Sequence, residues 1–465
     1  MSRSVRLVPA LAVLLALALT GTACDGGVRG TPGGSGVRDP YFPKAGNGGY
    51  DVGHYDLTLD YTPATRRLTG TAVVTARATR DLSAFDLDLA GLHVDSVAVE
   101  GKDARWSRAG QELTVRPHDD LSEGETFRTT VRYSGTPRTL TDPDGYSEEG
   151  WLPTADGALA LGEPVGSMAW FPGNHHPSDK ASYDITVTVP KGLQAVSNGE
   201  LADQRTRGGR TAYHWHTAEP MASYVATVAI GHYEITRSSG PHGLPVVTAV
   251  DPAEAEESAE VFAKIPEILD WAETNFGPYP FSSAGAIVDR PGDAGYALET
   301  QNRPVFPADQ LDTSTLVHEL AHQWYGDSVT PRSWRDMWLN EGFAQYAEWL
   351  YKEDHGGPTA QQTFTRLYEG DREELWAFPP ATPSGAAHIS DTPVYDRGAM
   401  VLHKIRQKVG DDTFYDIIQG WAAAHRHGTA STADFTKYVE GKAPEKDFAG
   451  IWKDWLYGDG RPDHP

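Results

Sequence analysis

The sequence predicts an α+β protein in which a β-rich domain of sandwich or saddle type precedes an α-rich domain. Between residues 50 and 237, Val, Thr, Tyr and Ile alternate with polar residues, a period typical of half-buried strands. From Asp251 onward, apolar residues recur every three or four positions, which is the period of amphipathic helices. The chain of 465 residues is long enough for several domains of ordinary size.

Composition and charge exclude two classes of protein. The chain has 40 Lys and Arg against 64 Asp and Glu, a formal net charge of −24, and no basic stripe offsets it. Such a surface repels the phosphate backbone of nucleic acids, so we expect no nucleic-acid partner. Hydrophobic residues make up 39% of the chain, which is enough apolar surface for large cores and argues against disorder.

The first 24 residues have the parts of a secretory signal. Arg3 and Arg6 precede an apolar run over residues 7–19, and small residues follow it. The run is shorter than the roughly 20 residues that a membrane-spanning helix needs. Because Cys24 comes next, the segment is similar to a bacterial lipoprotein signal whose cysteine becomes lipidated, with plain secretion as the alternative. We expect the protein to be secreted, or anchored by Cys24 on the outer face of the cytoplasmic membrane.

Residues 25–49 are rich in glycine and do not alternate, which predicts a flexible tether. The β-rich domain is assigned to residues 50–237 and the α-rich domain to residues 238–465. Strands are expected at 54–61, 68–77, 85–89, 126–133, 182–189 and 221–230. Helices are expected at 261–276, with a bend at Pro266, and at 313–325, 341–351, 398–409, 413–424 and 432–440.

The strongest chemical signal is the run His318-Glu319-Leu320-Ala321-His322. Residues four apart on a helix are separated by only about 40°, so both imidazoles point the same way, as two ligands of a tetrahedral Zn²⁺ must. Glu319 projects to the side, where it can act as a general base but cannot replace a ligand. An amphipathic helix with two surface histidines is the alternative.

Two further glutamates follow at informative distances. Eighteen residues separate His322 from Glu341, which supplies the carboxylate that a hydrolytic zinc site needs as its third protein ligand. Glu348, seven residues later, returns to nearly the same helix face and is predicted to orient a ligand imidazole. The alternative for Glu348 is a solvated helix carboxylate.

This histidine pair, the 18-residue gap and Asn340-Glu341-Gly342-Phe343-Ala344 resemble the aminopeptidase N family of gluzincin zinc peptidases. The resemblance continues through residues 323–330, where the family usually has Asn at the position of Asp327, and it covers about residues 50–462. It implies a β-rich domain followed by a thermolysin-like catalytic domain, one Zn²⁺ per chain and peptide substrates. It also implies that N-terminal residues are hydrolysed with Glu319 as the general base.

The resemblance also implies roles for residues that composition cannot select. Tyr395, followed by Asp396, Arg397 and Gly398, matches the tyrosine that stabilises the transition state, with a packing tyrosine as the alternative. Ala297 and Glu299 are retained from the family's Gly-Ala-Met-Glu-Asn strand, in which the glutamate binds the substrate's free α-amine. Here Tyr296 replaces the glycine, and a solvent-facing strand carboxylate is the alternative for Glu299.

A second group for the amine comes from the β-rich domain in this family. Glu163 stands nine residues before Pro172, where the family often has Gln, so Glu163 is predicted to be a second ammonium ligand. His175 and His176 follow in a loop bounded by prolines and are expected on the surface, with a metal site as the alternative.

Larger members of the family add a further helical domain, and this chain is expected to lack it. A more open cleft makes a zinc endopeptidase the alternative activity. An inactive peptide-binding scaffold is the alternative from another class, and the retained His318, Glu319, His322 and Glu341 weigh against it.

Overall fold

Residues 30–465 are described by a computed structural model, so the signal-like segment and Cys24 lie outside the described residues. In this part of the chain, no helix is both long enough and apolar enough to cross a membrane. A β-rich N-terminal domain is followed by a predominantly helical domain, as the sequence predicts.

The predicted flexible tether is wrong for residues 30–49, which pack against both domains. This segment contains three short strands: β1 (Thr31–Pro32), β2 (Gly34–Ser35) and β3 (Asn47–Gly48). Asp39 and Phe42 are buried, and Asp39 lies 3.3 Å from the imidazole of His176. His175 and His176 are themselves buried rather than exposed. The sequence pattern misses this packing because single anchoring residues make the contacts, and single residues leave no periodic signal.

The N-terminal domain contains sixteen strands. They are β4 (Tyr50–Thr62), β5 (Arg67–Ala78), β6 (Leu82–Asp88), β7 (His93–Val99), β8 (Lys102–Asp103), β9 (Arg105–Ala109), β10 (Glu112–Arg116), β11 (Thr126–Gly135), β12 (Thr139–Thr141), β13 (Glu148–Pro153), β14 (Ala158–Leu161), β15 (Lys180–Pro190), β16 (Gln194–Ser197), β17 (Glu200–Arg207), β18 (Arg210–Ala222) and β19 (Val228–Gly231).

These strands form three principal sheets. The largest has the order β17-β18-β15-β4-β5-β11-β7-β8, and alternate residues of β4, such as Leu57, Leu59 and Tyr61, are buried in its core. The second sheet has the order β12-β13-β14-β19-β16, and its strand β14 ends two residues before Glu163. The third sheet has the order β1-β6-β10-β9. The single strand predicted at 221–230 is divided between β18 and β19, because the chain passes there from the first sheet to the second.

The second domain begins with a sheet and not with a helix. Its consecutive strands are β20 (Glu234–Ser239), β21 (Pro245–Val250), β22 (Ala284–Asp289) and β23 (Val305–Pro307). Because β20 pairs with β21, the domain boundary precedes Glu234, slightly earlier than predicted. A parallel pair, β24 (Val329–Pro331) and β25 (Gly428–Ala430), links two helical regions.

Helices make up the rest of this domain. They are α1 (Ala255–Phe262), α2 (Ile265–Phe276), α3 (Thr313–Ala321), α4 (Trp338–Asp354), α5 (Ala360–Glu369), α6 (Gly398–Val409), α7 (Asp411–Ala424) and α8 (Thr432–Lys442). Pro266 stands in the first turn of α2, where a missing N–H costs nothing, so the predicted bent helix is two helices. A π-helical turn, Pro393–Arg397, leads directly into α6.

Candidate active site

Helices α3 and α4 bring the predicted metal ligands together. His318 and the residue four positions later, His322, lie at the C-terminal end of α3, and Glu341 lies in the first turn of α4. The Glu341 Oε2 atom is 3.2 Å from His318 Nε2 and 3.4 Å from His322 Nε2. One carboxylate oxygen therefore faces both imidazole nitrogens.

This donor set fits a zinc ion. Tetrahedral ligands at Zn–N and Zn–O distances of about 2.0–2.1 Å lie about 3.3 Å apart, close to both Glu341 separations. His318 Nδ1 lies 3.1 Å from Glu348 Oε1, and His322 Nδ1 lies 3.1 Å from the carbonyl oxygen of Tyr325. Because each Nδ1–H faces an acceptor, the lone pair of each Nε2 is left for a metal.

Glu348 is held in place and is not a solvated carboxylate. Besides its contact with His318, it accepts a hydrogen bond from the Ser314 hydroxyl and lies 3.1 Å from the Lys352 ammonium. Burial opposes ionisation of Glu348, but its contacts with His318, Ser314 and Lys352 together outweigh burial and lower the pKa of this carboxyl. An ionised Glu348 is the form that accepts from His318. The sequence did not identify Ser314 as part of the site, because Ser314 meets Glu348 only when α3 packs against α4.

Glu319 is buried beside the histidines, and its Oε2 atom has no hydrogen-bond partner within the described residues. Burial raises the pKa of this carboxyl to about 8, although the neighbouring histidines act in the opposite direction. Its oxygen faces the same cavity as the ligand set. The side chain is therefore placed to exchange a proton with a group in that cavity.

Tyr395 stands on the other side of His318. Its ring is stacked on the imidazole, with the ring centroids 5.9 Å apart. The turn that carries it is anchored by Arg397, which is buried and donates to the carbonyl oxygen of Trp455 over 3.0 Å. Burial raises the pKa of the Tyr395 hydroxyl well above its usual value, so the group remains a proton donor at neutral pH.

The two predicted amine ligands come from different domains and face one cavity of about 410 Å³. Single oxygens of Glu163, Glu299 and Glu341 all lie within 4.8 Å of one another. One oxygen of Glu163 and one of Glu299 are buried and have no hydrogen-bond partner in residues 30–465, and burial raises the pKa of both carboxyls. Glu299 lies in the loop before β23 and not on a strand, because only Leu298 is bridged to Val305. Ala297 lines the cavity beside it.

Asp327, where Asn is usual, is also buried close to the site. Its Oδ2 accepts a hydrogen bond of 2.8 Å from the Gln323 amide, and burial raises the pKa of the carboxyl well above its usual value. A protonated Asp327 has one acceptor oxygen and one donor, much like the amide that it replaces.

Comparison with known proteins agrees with this geometry. The family model of the Peptidase M1 N-terminal domain matches residues 52–225, and that of the Peptidase family M1 domain matches residues 301–455. Probable aminopeptidase 2 of Sulfurisphaera tokodaii is 27% identical over 404 residues, covering 81% of this chain and 50% of the relative. Aminopeptidase N of Streptomyces lividans is 26% identical over 310 residues, or 60% of this chain and 35% of the relative. The chain thus spans about half the length of the first curated relatives that it matches.

Solved structures match over almost their whole length. The M1 zinc metallopeptidase of Deinococcus radiodurans is 29% identical, with a TM-score of 0.82 over 92% of this chain and 99% of the neighbour. A mutant of that enzyme bound to a Tyr-Ser-Ala substrate is 30% identical, with a TM-score of 0.83 over the same shares of the two chains. A two-domain M1 zinc metallopeptidase mutant bound to L-tryptophan is 30% identical, with a TM-score of 0.84 over 92% and 99% of the chains. This chain is therefore a member of the M1 family of zinc metallopeptidases.

Proposed function

We propose that this protein is an aminopeptidase that uses one Zn²⁺ per chain and removes N-terminal residues from peptides. The observation that carries the proposal is the pairing of Glu163 and Glu299 next to the His318–His322–Glu341 set. Two carboxylates that each have a buried oxygen without a partner in the described part of the chain suit the α-ammonium group of a substrate, which charge-assisted hydrogen bonds bind strongly. The curated relatives are named aminopeptidases, which supports the same activity.

Each residue of the site has a defined task in this reaction. His318, His322 and Glu341 would hold Zn²⁺, which supplies Lewis acidity toward the scissile carbonyl and toward water. Glu319 accepts a proton from the attacking water and passes it to the leaving nitrogen. The Tyr395 hydroxyl donates a hydrogen bond to the oxyanion, and Glu348 keeps His318 oriented. Ala297, next to Glu299, borders the path of the substrate backbone.

The amine contacts make a free N-terminus the decisive substrate feature. An N-acetyl group removes the positive charge and leaves both carboxylates buried and unpaired, at a cost of several kcal/mol. We expect free-amine peptides to be shortened one residue at a time, while their N-acetyl versions are nearly inert. Mass spectrometry of digests of matched peptide pairs measures this preference.

Variants of the two carboxylates test the assignment. Glu299→Ala should erase most of the preference for a free amine, and Glu163→Ala a smaller part. Asp391→Asn is the matched control, because Asp391 lines the same cavity but is paired with His388 at 2.8 Å. Internal cleavage of acetylated peptides at a comparable rate would overturn this proposal in favour of a zinc endopeptidase. Loss of all turnover in a zinc-loaded protein would favour a binding scaffold.

We also propose that the protein acts outside the cytoplasmic membrane, held there by a lipid on Cys24. The support is the signal-like sequence of residues 1–24. Expression of the full chain in a bacterial host, followed by membrane fractionation and mass spectrometry of the N-terminal peptide, tests this. Wild-type protein should be recovered in membranes with a lipid-sized mass increase, and Cys24→Ala should lack both. An unmodified N-terminus in the culture medium would instead indicate plain secretion.

A further inference from the structure

The cavity has an excess of acidic groups that the proposed reaction does not use. Eight carboxylates line it, and no Lys or Arg does so within the described residues. Zinc binding, imidazole orientation, proton transfer and amine binding account for five of them. The remaining three are Asp142, Asp144 and Asp391.

Two of these three have local partners. Asp391 is paired with His388 at 2.8 Å. Asp144 accepts hydrogen bonds from the backbone N–H groups of Tyr146 and Ser147, at 2.7 and 2.9 Å, and from the Ser147 hydroxyl at 2.6 Å. Asp144 therefore builds the turn between β12 and β13.

Asp142 differs from both. Its Oδ1 accepts one bond of 3.2 Å from the Asp144 backbone, and none of the basic side chains in residues 30–465 lies within ion-pair distance. Burial raises the pKa of this carboxyl to about 6. A half-buried carboxylate without a cation is costly, and a cationic ligand would remove that cost.

The position of Asp142 identifies the part of the substrate that it can reach. Asp142 directly follows β12 and Glu163 follows β14, two strands of the same sheet, and both side chains line the cavity. The negative charge of Asp142 acts on Glu163 and on Tyr296. The Tyr296 hydroxyl donates to the Glu163 carbonyl over 3.2 Å, so these residues form one wall. Asp142 thus lies on the amine-binding side of the cavity. The side chain of the first substrate residue is attached to the same carbon as the α-amine, so it also lies on this side of the cavity.

We infer that Asp142 binds the cationic side chain of the substrate's first residue, so that the preferred substrates are peptides that begin with Arg or Lys. This inference rests on the proposed aminopeptidase function. Arg should be preferred over Lys, because its planar guanidinium can pair with a carboxylate through two parallel hydrogen bonds. Asp144 adds negative charge nearby without leaving its turn.

Arginine and citrulline provide a sharp test, because they have nearly the same shape and differ in charge. We expect kcat/KM for an arginyl amide dye to exceed that for the citrullyl dye by about tenfold or more, since a hydrogen bond to a charged group is worth more than a neutral one. In Asp142→Asn the ratio should fall to within about threefold of unity. The matched control, Asp391→Asn, should keep the wild-type ratio. Thermal unfolding checks that both variants are folded.

The outcomes separate the inference from the proposed function. Turnover with equal rates for the arginyl and citrullyl dyes, or an unchanged ratio in Asp142→Asn, would overturn the role of Asp142 and leave the aminopeptidase standing. Cleavage of none of the dyes would overturn the proposed function. In that case, calorimetry with argininamide and citrullinamide still decides on Asp142, because only the former should bind appreciably.

Discussion

At the scale of single residues, the site is marked by carboxylates that lack partners. Buried polar groups in folded proteins are nearly always hydrogen-bonded, so each exception needs an explanation. Among the residues that the structure describes, Glu163, Glu299 and Glu319 each have a buried oxygen without a partner, and all three line one cavity. Their placement makes sense when a substrate amine and a transferable proton are supplied from outside the chain.

Replacement of Glu319 by Gln tests the proton-transfer role with almost no change of shape. The amide cannot accept the proton, so turnover should fall by roughly 10²–10⁴-fold, the range for a general base. Zinc content, measured by elemental analysis, should stay at the wild-type level because Glu319 is not part of the proposed His318–His322–Glu341 set. Near-normal turnover in this variant would contradict the assignment.

Replacement of Tyr395 by Phe removes one hydroxyl and keeps the ring stacked on His318. We expect kcat to fall by an amount that corresponds to about 2.7–4 kcal/mol, typical for one lost oxyanion donor. Steady-state kinetics on a dye substrate should show little change in KM. A rise in KM with kcat intact would instead assign Tyr395 to substrate binding.

At the scale of elements, two helices build the candidate metal site. Helix α3 presents two imidazoles on one face because they are four residues apart, and α4 presents Glu341 and Glu348 on one face because they are seven apart. The contact between these faces converts two local patterns into one donor set. Neither helix could hold a tetrahedral metal without the other.

The two glutamates of α4 should therefore have different effects on zinc. Glu341→Ala removes a ligand, and we expect the purified variant to contain little metal. Glu348→Gln only weakens the orientation of His318, so zinc affinity should fall by about 10–100-fold while a stoichiometric complex still forms at saturating metal. Competition with a chromogenic chelator measures the zinc affinity of both variants. A full equivalent of zinc in Glu341→Ala would show that the third ligand lies elsewhere.

At the scale of the whole molecule, residues 30–49 fasten the two domains together. Asp39 accepts hydrogen bonds from the Ser333 hydroxyl at 2.7 Å and from the Trp334 backbone at 3.0 Å, just before α4 begins. It also lies 3.3 Å from His176 of the N-terminal domain. Tyr41 donates to the Pro383 carbonyl over 2.6 Å. The segment thus supports the start of the helix that carries Glu341.

Asp39→Asn tests whether these contacts between the domains stabilise the protein. Burial alone would raise the pKa of Asp39, but its contacts with His176, Phe42 and Ser333 outweigh burial and hold the pKa well below the usual range. A carboxyl whose pKa is lower in the folded state than in the unfolded state stabilises the protein at pH values above its unfolded-state pKa of about 3.9. This stabilisation is lost as the pH falls below that value. We expect Asp39→Asn to lower the free energy of unfolding by roughly 2–3 kcal/mol at pH 7.

Urea unfolding midpoints of both proteins, measured at several pH values, check the size of the stability difference and the direction in which it changes with pH. The difference between wild type and Asp39→Asn should be constant from pH 7 to about pH 5 and should shrink below about pH 4. The exposed Asp51, changed to Asn, is the control and should have little effect. A difference that is small at neutral pH, or that grows as the pH falls, would contradict the role of Asp39.

Local sequence determined the helices and many of the strands of this protein and identified its candidate metal ligands, because periodic hydrogen bonding makes residue spacing a direct record of helix and strand geometry. The predicted helix at 398–409 matches α6, and the spacing of His318, His322 and Glu348 needed no knowledge of distant residues. Only the tertiary structure decided that Glu163 meets Glu299, that Asp142 faces the same cavity, and that residues 30–49 are packed instead of flexible. These are contacts between single residues far apart in the chain, and such contacts leave no period in the sequence from which they could be predicted.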